Sequence, residues 1–288
     1  MKPVDFEYAA PRTVDETLAL LARWGGQASI LAGGQSLVPL LVARAVRPRC
    51  VIDISRVAEL DAIDEVDGGV RIGAAVRQAT CESSPLVQRV CPLLVAAIGW
   101  VASPPVRNLG TVVGSIAQRN AISQIPTVAV ALGARVRIAA ADGSRRTVPA
   151  ESFVDANSPA TLRSDELVLD CWFPGLPAGT AWGFYEVQRR AAHYALVGAA
   201  VTYARGPSGN ATAVRVAASG LAARPIRLSG VEAAVDGRAP TPLLFSAAAQ
   251  RASDDPVLDP IDDVHATAAY RRAVAPTIVE RAFLAAAS

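Results

Sequence analysis

Two short glycine-bearing segments constrain this chain more than any other feature. Ser29-Ile30-Leu31-Ala32 runs into Gly33-Gly34-Gln35-Ser36 and then into the apolar stretch Leu37 to Ala43. Asn108-Leu109-Gly110-Thr111-Val112-Val113-Gly114-Ser115 likewise leads into Ile116 to Asn120. Glycine carries no Cβ, so backbone N–H groups there can turn toward an anion, and a helix N-terminus adds a favourable partial charge. Taken together, the segments suit a pyrophosphate gripped from two sides, with Ser36, Thr111 and Ser115 offering hydroxyls. Neither matches the G-x-G-x-x-G dinucleotide fingerprint, and glycines of this kind also serve as ordinary turns.

The rest of the composition removes whole classes of chemistry. Twenty-eight basic against 26 acidic residues leave a formal charge of +2, too balanced for a nucleic-acid footprint or a reader of anionic membranes. Lys2 is the single lysine; so near the N-terminus it serves neither a Walker A loop nor a pyridoxal Schiff base. His193 and His265 are the only histidines, far apart and outside any zinc spacing, and each is expected at the surface or satisfied in the interior. Cys50, Cys81, Cys91 and Cys171 are scattered, which argues for reduced, mostly buried thiols over a disulfide, zinc or iron–sulfur framework. No G-x-S-x-G elbow is present. No catalytic residue and no metal site are singled out. The N-terminal MKPVDFEYAAPRT has no continuous apolar core, and no later run reaches the roughly 18 uncharged apolar residues of a membrane span. The expectation is a soluble, cytoplasmic protein.

The 288 residues suggest two domains. Thr13-Val-Asp-Glu16 reads as a capping box opening a helix through Leu18, Leu21 and Trp24 to the stop at Gly25-Gly26. Strands are expected at 29–32, 50–54, 70–72 and 167–173, a hairpin at 135–148 about Asp142-Gly143-Ser144, and short helices at 37–43, 85–89 and 92–101. Pro174-Gly-Leu-Pro177 marks the boundary, giving domains 1–174 (lobes of about 1–55 and 56–174) and 178–288. Beyond it come three strands, 181–190, 194–203 and 211–218, then helices near 227–235, 242–252 and 264–286. In the last, Ala266, Tyr270, Val274, Ile278 and Phe283 form an apolar stripe expected to pack in the core.

Ile30-Leu-Ala-Gly-Gly-Gln-Ser-Leu-Val-Pro-Leu40 resembles the first flavin-binding loop of the FAD subunits of molybdenum hydroxylases, the family of the carbon monoxide dehydrogenase medium subunit and the xanthine dehydrogenase flavin domain. Val51-Ile-Asp-Ile54, Arg71-Ile-Gly-Ala-Ala75, Arg107-Asn-Leu-Gly-Thr111, Ile125-Pro126 with Leu132-Gly-Ala134, Phe184 to Gly198 and Asp263 to Arg272 follow in the family's order. The resemblance implies an α+β fold. Its first part is a two-lobed FAD-binding domain of the vanillyl-alcohol-oxidase type, and its second a small α+β domain with an antiparallel sheet packed with helices. It implies that Ala32, Gly33, Gly34, Gln35, Ser36 and Leu37, with Gly110, Thr111, Val112, Gly114 and Ser115, hold the FAD pyrophosphate and adjoining ribityl. Asn120 occupies a flavin-contacting position, Tyr194 lies by the isoalloxazine, and Val168 comes from an apolar segment that contributes a residue near it. It further implies a heterotrimer, or its dimer, with an iron–sulfur subunit and a molybdopterin subunit. The same resemblance implies that this chain passes their electrons on to an acceptor.

Three positions depart from the family pattern. Val113 stands where the second loop usually has glycine, and a β-branched residue there is expected to strain the loop and weaken FAD binding. Asn120 and Gln124 replace two carboxylates, keeping hydrogen bonds but losing the charge-assisted part. An alternative reading therefore stays open: a stand-alone enzyme or binding protein reusing this scaffold with altered or lost flavin binding.

Overall fold

The structure, a computed structural model, describes residues 2–287. It opens with a small parallel sheet in the order β1-β3-β2, formed by β1 (Glu7–Ala9), β2 (Ala28–Leu31) and β3 (Cys50–Asp53). Parallel neighbours need crossovers, and the helices Val14–Trp24 and Leu37–Val42 supply them. The first is capped by Thr13, whose hydroxyl accepts from Glu16 N–H at 3.1 Å; Glu16 reaches back to Arg12 N–H at 2.7 Å, one residue earlier than a regular capping box.

A five-stranded antiparallel sheet follows in the order β4-β5-β8-β6-β7: β4 (Ile63–Val66), β5 (Gly69–Gly73), β6 (Arg135–Ala140), β7 (Arg145–Pro149) and β8 (Glu166–Pro174). β8 sits at its centre and is buried along nearly its whole length. Its two acids are neutralised where they are buried: Asp170 accepts from Arg137 Nε at 2.8 Å, and Glu166 from Arg146 Nη2 at 2.7 Å. Six short helices lie between β5 and β6, at Gln78–Ser83, Pro85–Val90, Pro92–Trp100, Pro104–Leu109, Val112–Gln118 and Gln124–Leu132. The last is buried at every position.

The C-terminal part is an antiparallel sheet ordered β12-β11-β10-β9, from β9 (Ala181–Gln188), β10 (Ala195–Arg205), β11 (Ala211–Ser219) and β12 (Ile226–Arg227). The helices Ser229–Val235, Pro242–Ala249 and Ala268–Ala287 complete it. Side chains alternate across a strand: Phe184, Ala200 and Ala217 join the N-terminal core, while Val197, Ala199, Val201 and Tyr203 join a second core with the C-terminal helices. The sheet is thus shared between two cores, with Gln124–Leu132 on one face and Ala268–Ala287 on the other. Gly183 permits the second contact, because a Cβ there would collide with the Ala282 carbonyl oxygen.

The last helix corrects the expected apolar stripe. It begins at Ala268, so Ala266 precedes it, and Tyr270 is exposed; Ile278 and Phe283 are buried and Val274 partly so. The inward face instead starts with Arg271, fully buried and bonded to Asp263 Oδ2 at 2.7 Å and to the Leu196 carbonyl. A cation at the head of a core face contradicts apolar periodicity, and its two partners explain why it is tolerated.

Candidate functional site

The ends of β2 and β3 open into a cleft of about 520 Å³ lined by Ala32, Gly33, Gly34, Gln35, Asp53, Arg77 and Leu109, among others. The two glycine segments meet here, backbone against backbone. A Cβ on Gly33 would collide with the Leu109 carbonyl oxygen and lie 2.6 Å from the Gly110 Cα. Gly34 takes φ +72°, a left-handed conformation that side-chain-bearing residues rarely adopt. Gly114 lies beneath the Thr111 hydroxyl: Gly114 N–H donates to Thr111 Oγ1 at 3.0 Å, and a Cβ there would stand 2.5 Å from that oxygen. Thr111 is thereby the N-cap of Val112–Gln118.

Arg77 closes the junction and was not picked out by the sequence reading. Its guanidinium donates to the Ala32 carbonyl at 3.4 Å and to the Leu109 carbonyl, one in each loop. The same segment is sewn to the second loop by Gln78 N–H to the Gly110 carbonyl, 2.8 Å, and Val112 N–H to the Val76 carbonyl, 3.2 Å. No local motif marks Arg77; only the β5 exit, carrying it across both loops, gives it this place. Asp53 is the anion of the cleft. Burial opposes its ionisation, but hydrogen bonds from Tyr8 and Ser55, helped by Arg56, outweigh it and hold the carboxyl below its ordinary range. Tyr8 Oη donates to Asp53 Oδ2 at 2.5 Å, and its own pKa rises for that reason first.

The remaining expected site residues are dispersed. Gln35, which lines the cleft, and Ser36, which does not, are exposed, Leu37 and Ser115 half-buried, and Val112 fully buried. Asn120 is exposed and its Oδ1 accepts from Ile122 N–H at 3.1 Å. Val168 is 5% exposed in β8, within the core and outside the cleft lining. Tyr194 is 58% exposed on the turn before β10. There the two histidines converge on it: ring centroids lie 5.8 Å from His193 to Tyr194, 5.3 Å from Tyr194 to His265 and 6.1 Å between the histidines. Sequence separation hid that cluster.

Val113 overturns the expectation of a strained loop. It lies in the first turn of the helix Val112–Gln118 with no left-handed φ, 1% exposed and packed in the N-terminal core. A helical backbone accepts valine, and the side chain points away from any need for glycine's freedom. The helices after the two loops have only six and seven residues, so their dipoles add little. The fit to a pyrophosphate rests on the Cβ-free cradle and the Arg77 cation.

Paired glycine loops meeting at a cleft on a mixed α+β scaffold suit a protein that binds a dinucleotide, and comparison with known proteins makes the class specific. Residues 4–176 match the FAD binding domain in molybdopterin dehydrogenase, and residues 182–286 match the CO dehydrogenase flavoprotein C-terminal domain. The carbon monoxide dehydrogenase medium chain of Hydrogenophaga pseudoflava is 36% identical over 99% of this chain and 98% of its own. The 6-hydroxypseudooxynicotine dehydrogenase complex subunit alpha of Paenarthrobacter nicotinovorans is 36% identical over 98% of this chain and 94% of its own. A solved structure of carbon monoxide dehydrogenase from H. pseudoflava superimposes with a TM-score of 0.93 at 36% identity, covering 99% of this chain and 98% of that one. The chain belongs to the FAD-binding medium subunits of the carbon monoxide dehydrogenase and molybdenum hydroxylase family. It is an oxidoreductase subunit, and its cofactor is FAD. Among the described residues no helix is long and apolar enough to cross a membrane.

Proposed function

We propose that this chain is the electron-transferring subunit of a multi-subunit molybdenum-dependent dehydrogenase, taking electrons from an iron–sulfur subunit and delivering them to an acceptor. A molybdopterin subunit would complete the assembly, as a heterotrimer or its dimer, in the cytoplasm. The observation that carries this reading is the clasp of Gly33 on Leu109–Gly110, stapled by Arg77, in a chain matched along its length to FAD subunits. Bound FAD supplies a redox centre that accepts and returns electrons.

On this reading the loops Ala32–Leu37 and Gly110–Ser115 hold the pyrophosphate, with Arg77 beside it as the balancing cation. Asp53, ionised at neutral pH, accepts from a ribose hydroxyl. Asn120 donates from its amide to the flavin, and Tyr194 offers its exposed ring face to the isoalloxazine. Val168 acts from the core shared with Val112 and Val113. The chain divides into the FAD-binding part to residue 174 and the C-terminal part from 178. Purification from the native source tests the assembly: iron–sulfur and molybdopterin polypeptides are expected to copurify with this chain. Recovery of this polypeptide alone, with full dehydrogenase activity, would contradict it.

A further inference from the structure

The seam between Gln124–Leu132 and the C-terminal sheet holds buried polar side chains outside the glycine cradle. Gln124 Nε2 donates to Glu186 Oε1 at 3.0 Å. Gln188 Nε2 donates to the same oxygen and, at 3.3 Å, to the Trp100 carbonyl. Glu186 is 3% exposed, Ser219 1%, and both Glu186 Oε2 and Ser219 Oγ lack a hydrogen-bond partner. They flank one notch. Gly198 pairs with Glu186 on one side and Ser219 on the other, and a Cβ on it would stand 2.9 Å from Ser219 Oγ and 3.5 Å from Glu186 Oε2.

A buried carboxylate oxygen with no donor is costly, whereas a carboxylic acid at the same place can donate its proton. Burial raises the Glu186 pKa to about 7 against the opposing amide bonds of Gln124 and Gln188. The groups facing Glu186 from the adjoining elements are Gln124, Gln188, Gly198 and Ser219, all neutral. The charged side chains of the cleft it also lines are Arg190 and Arg281, and Arg281 is engaged with Tyr185 Oη at 2.6 Å. Glu186 thus ties together two segments. Gln124 begins the helix just after Asn120, and Gln188 ends the strand that leads to the Tyr194 turn. Gly220 N–H, beside Ser219, also donates to the Ala121 carbonyl at 2.9 Å.

We propose that Glu186, held as the neutral acid and accepting at Oε1 from both Gln124 and Gln188, is the positioning residue that fixes the Asn120 segment against the Tyr194 turn. The proposal rests on the reading of those two residues as flavin contacts. It is tested by titrating the apo-protein with FAD from pH 5.5 to 8.5 in wild type, Glu186→Gln and Glu186→Leu, beside pH-dependent unfolding without FAD. Glutamine cannot ionise, yet its carbonyl oxygen keeps an acceptor for Gln124 and Gln188. Wild-type affinity is expected to fall about tenfold between pH 6 and 8, the linkage of one pKa unit. Glu186→Gln is expected to hold its pH 6 affinity throughout, and Glu186→Leu to bind weakly at every pH. Because the folded state retains the proton that the unfolded chain releases above the ordinary glutamate range, wild-type stability should fall as pH rises toward 7, and Glu186→Gln should lose that slope. A Glu186→Gln variant that follows the wild-type profiles, or a Glu186→Leu variant that binds like wild type at pH 6, overturns the proposal. Absence of FAD binding by wild type at every pH would overturn the flavin reading and the positioning role with it. The unfolding profile would then still report whether Glu186 carries the proton.

Discussion

The Arg77 guanidinium reaches one carbonyl in each loop, and carbonyls neutralise none of its charge. In the proposed FAD site it is therefore both staple and balancing cation. Replacing it with leucine removes a hydrogen bond to a charged group, worth about 1.5–3 kcal/mol, so FAD affinity should drop by roughly one to two decades. Lysine should restore only part of it, since an ammonium lacks the planar fork. An FAD titration of the two variants beside wild type checks both. Val113 carries a separate prediction. Val113→Gly deletes a buried side chain and places glycine in a helix, costs that add to about 2–3 kcal/mol of stability. Chemical denaturation should detect that loss, and the FAD titration should show no tightening. The four cysteines are free and buried; burial pushes the Cys91 thiol up to about 12 and holds Cys81 and Cys171 well above the ordinary range. A thiol reagent at pH 8 should leave the native protein unmodified and label it only after unfolding.

At the scale of elements, the proposed FAD site depends on two loops touching without side chains between them. Gly33→Ala forces a Cβ into the Leu109 carbonyl, so the loops must separate and FAD binding should be lost while far-ultraviolet circular dichroism stays native. If Gly33→Ala binds FAD like wild type, the clasp is not what shapes the site. Much of this was legible in the residues. The helix after Thr13, the strands flanking the first glycine loop and the 135–149 hairpin all carry local signals of period, cap or turn. β4 was missed although Asp67-Gly68, both at positive φ, is a tight hairpin turn with a recognisable dipeptide. Val113 and Arg77 were misjudged or missed for a different reason. Whether a loop position needs glycine, and which cation crosses two distant loops, are decided by tertiary approach and leave no local pattern.

Across the whole molecule, the C-terminal sheet is buried on both faces and is where the two cores meet, with Gln124–Leu132 packed on its N-terminal side. The loop junction opens on the N-terminal part, while Tyr194 and the paired histidines belong to the C-terminal part. Cofactor binding should therefore stabilise the chain as one unit. With FAD at a hundred times its dissociation constant, mass action adds about 2.7 kcal/mol, and thermal unfolding should shift upward in a single transition. Two separate transitions, only one moved by FAD, would show the halves to be independent. Whether the paired loops form an FAD site is read most directly from the absorbance spectrum of the purified chain, before and after incubation with excess FAD and gel filtration. Flavin bands at one FAD per chain, released intact by denaturation, are the predicted result. A chain that stays colourless after incubation with excess FAD would contradict it.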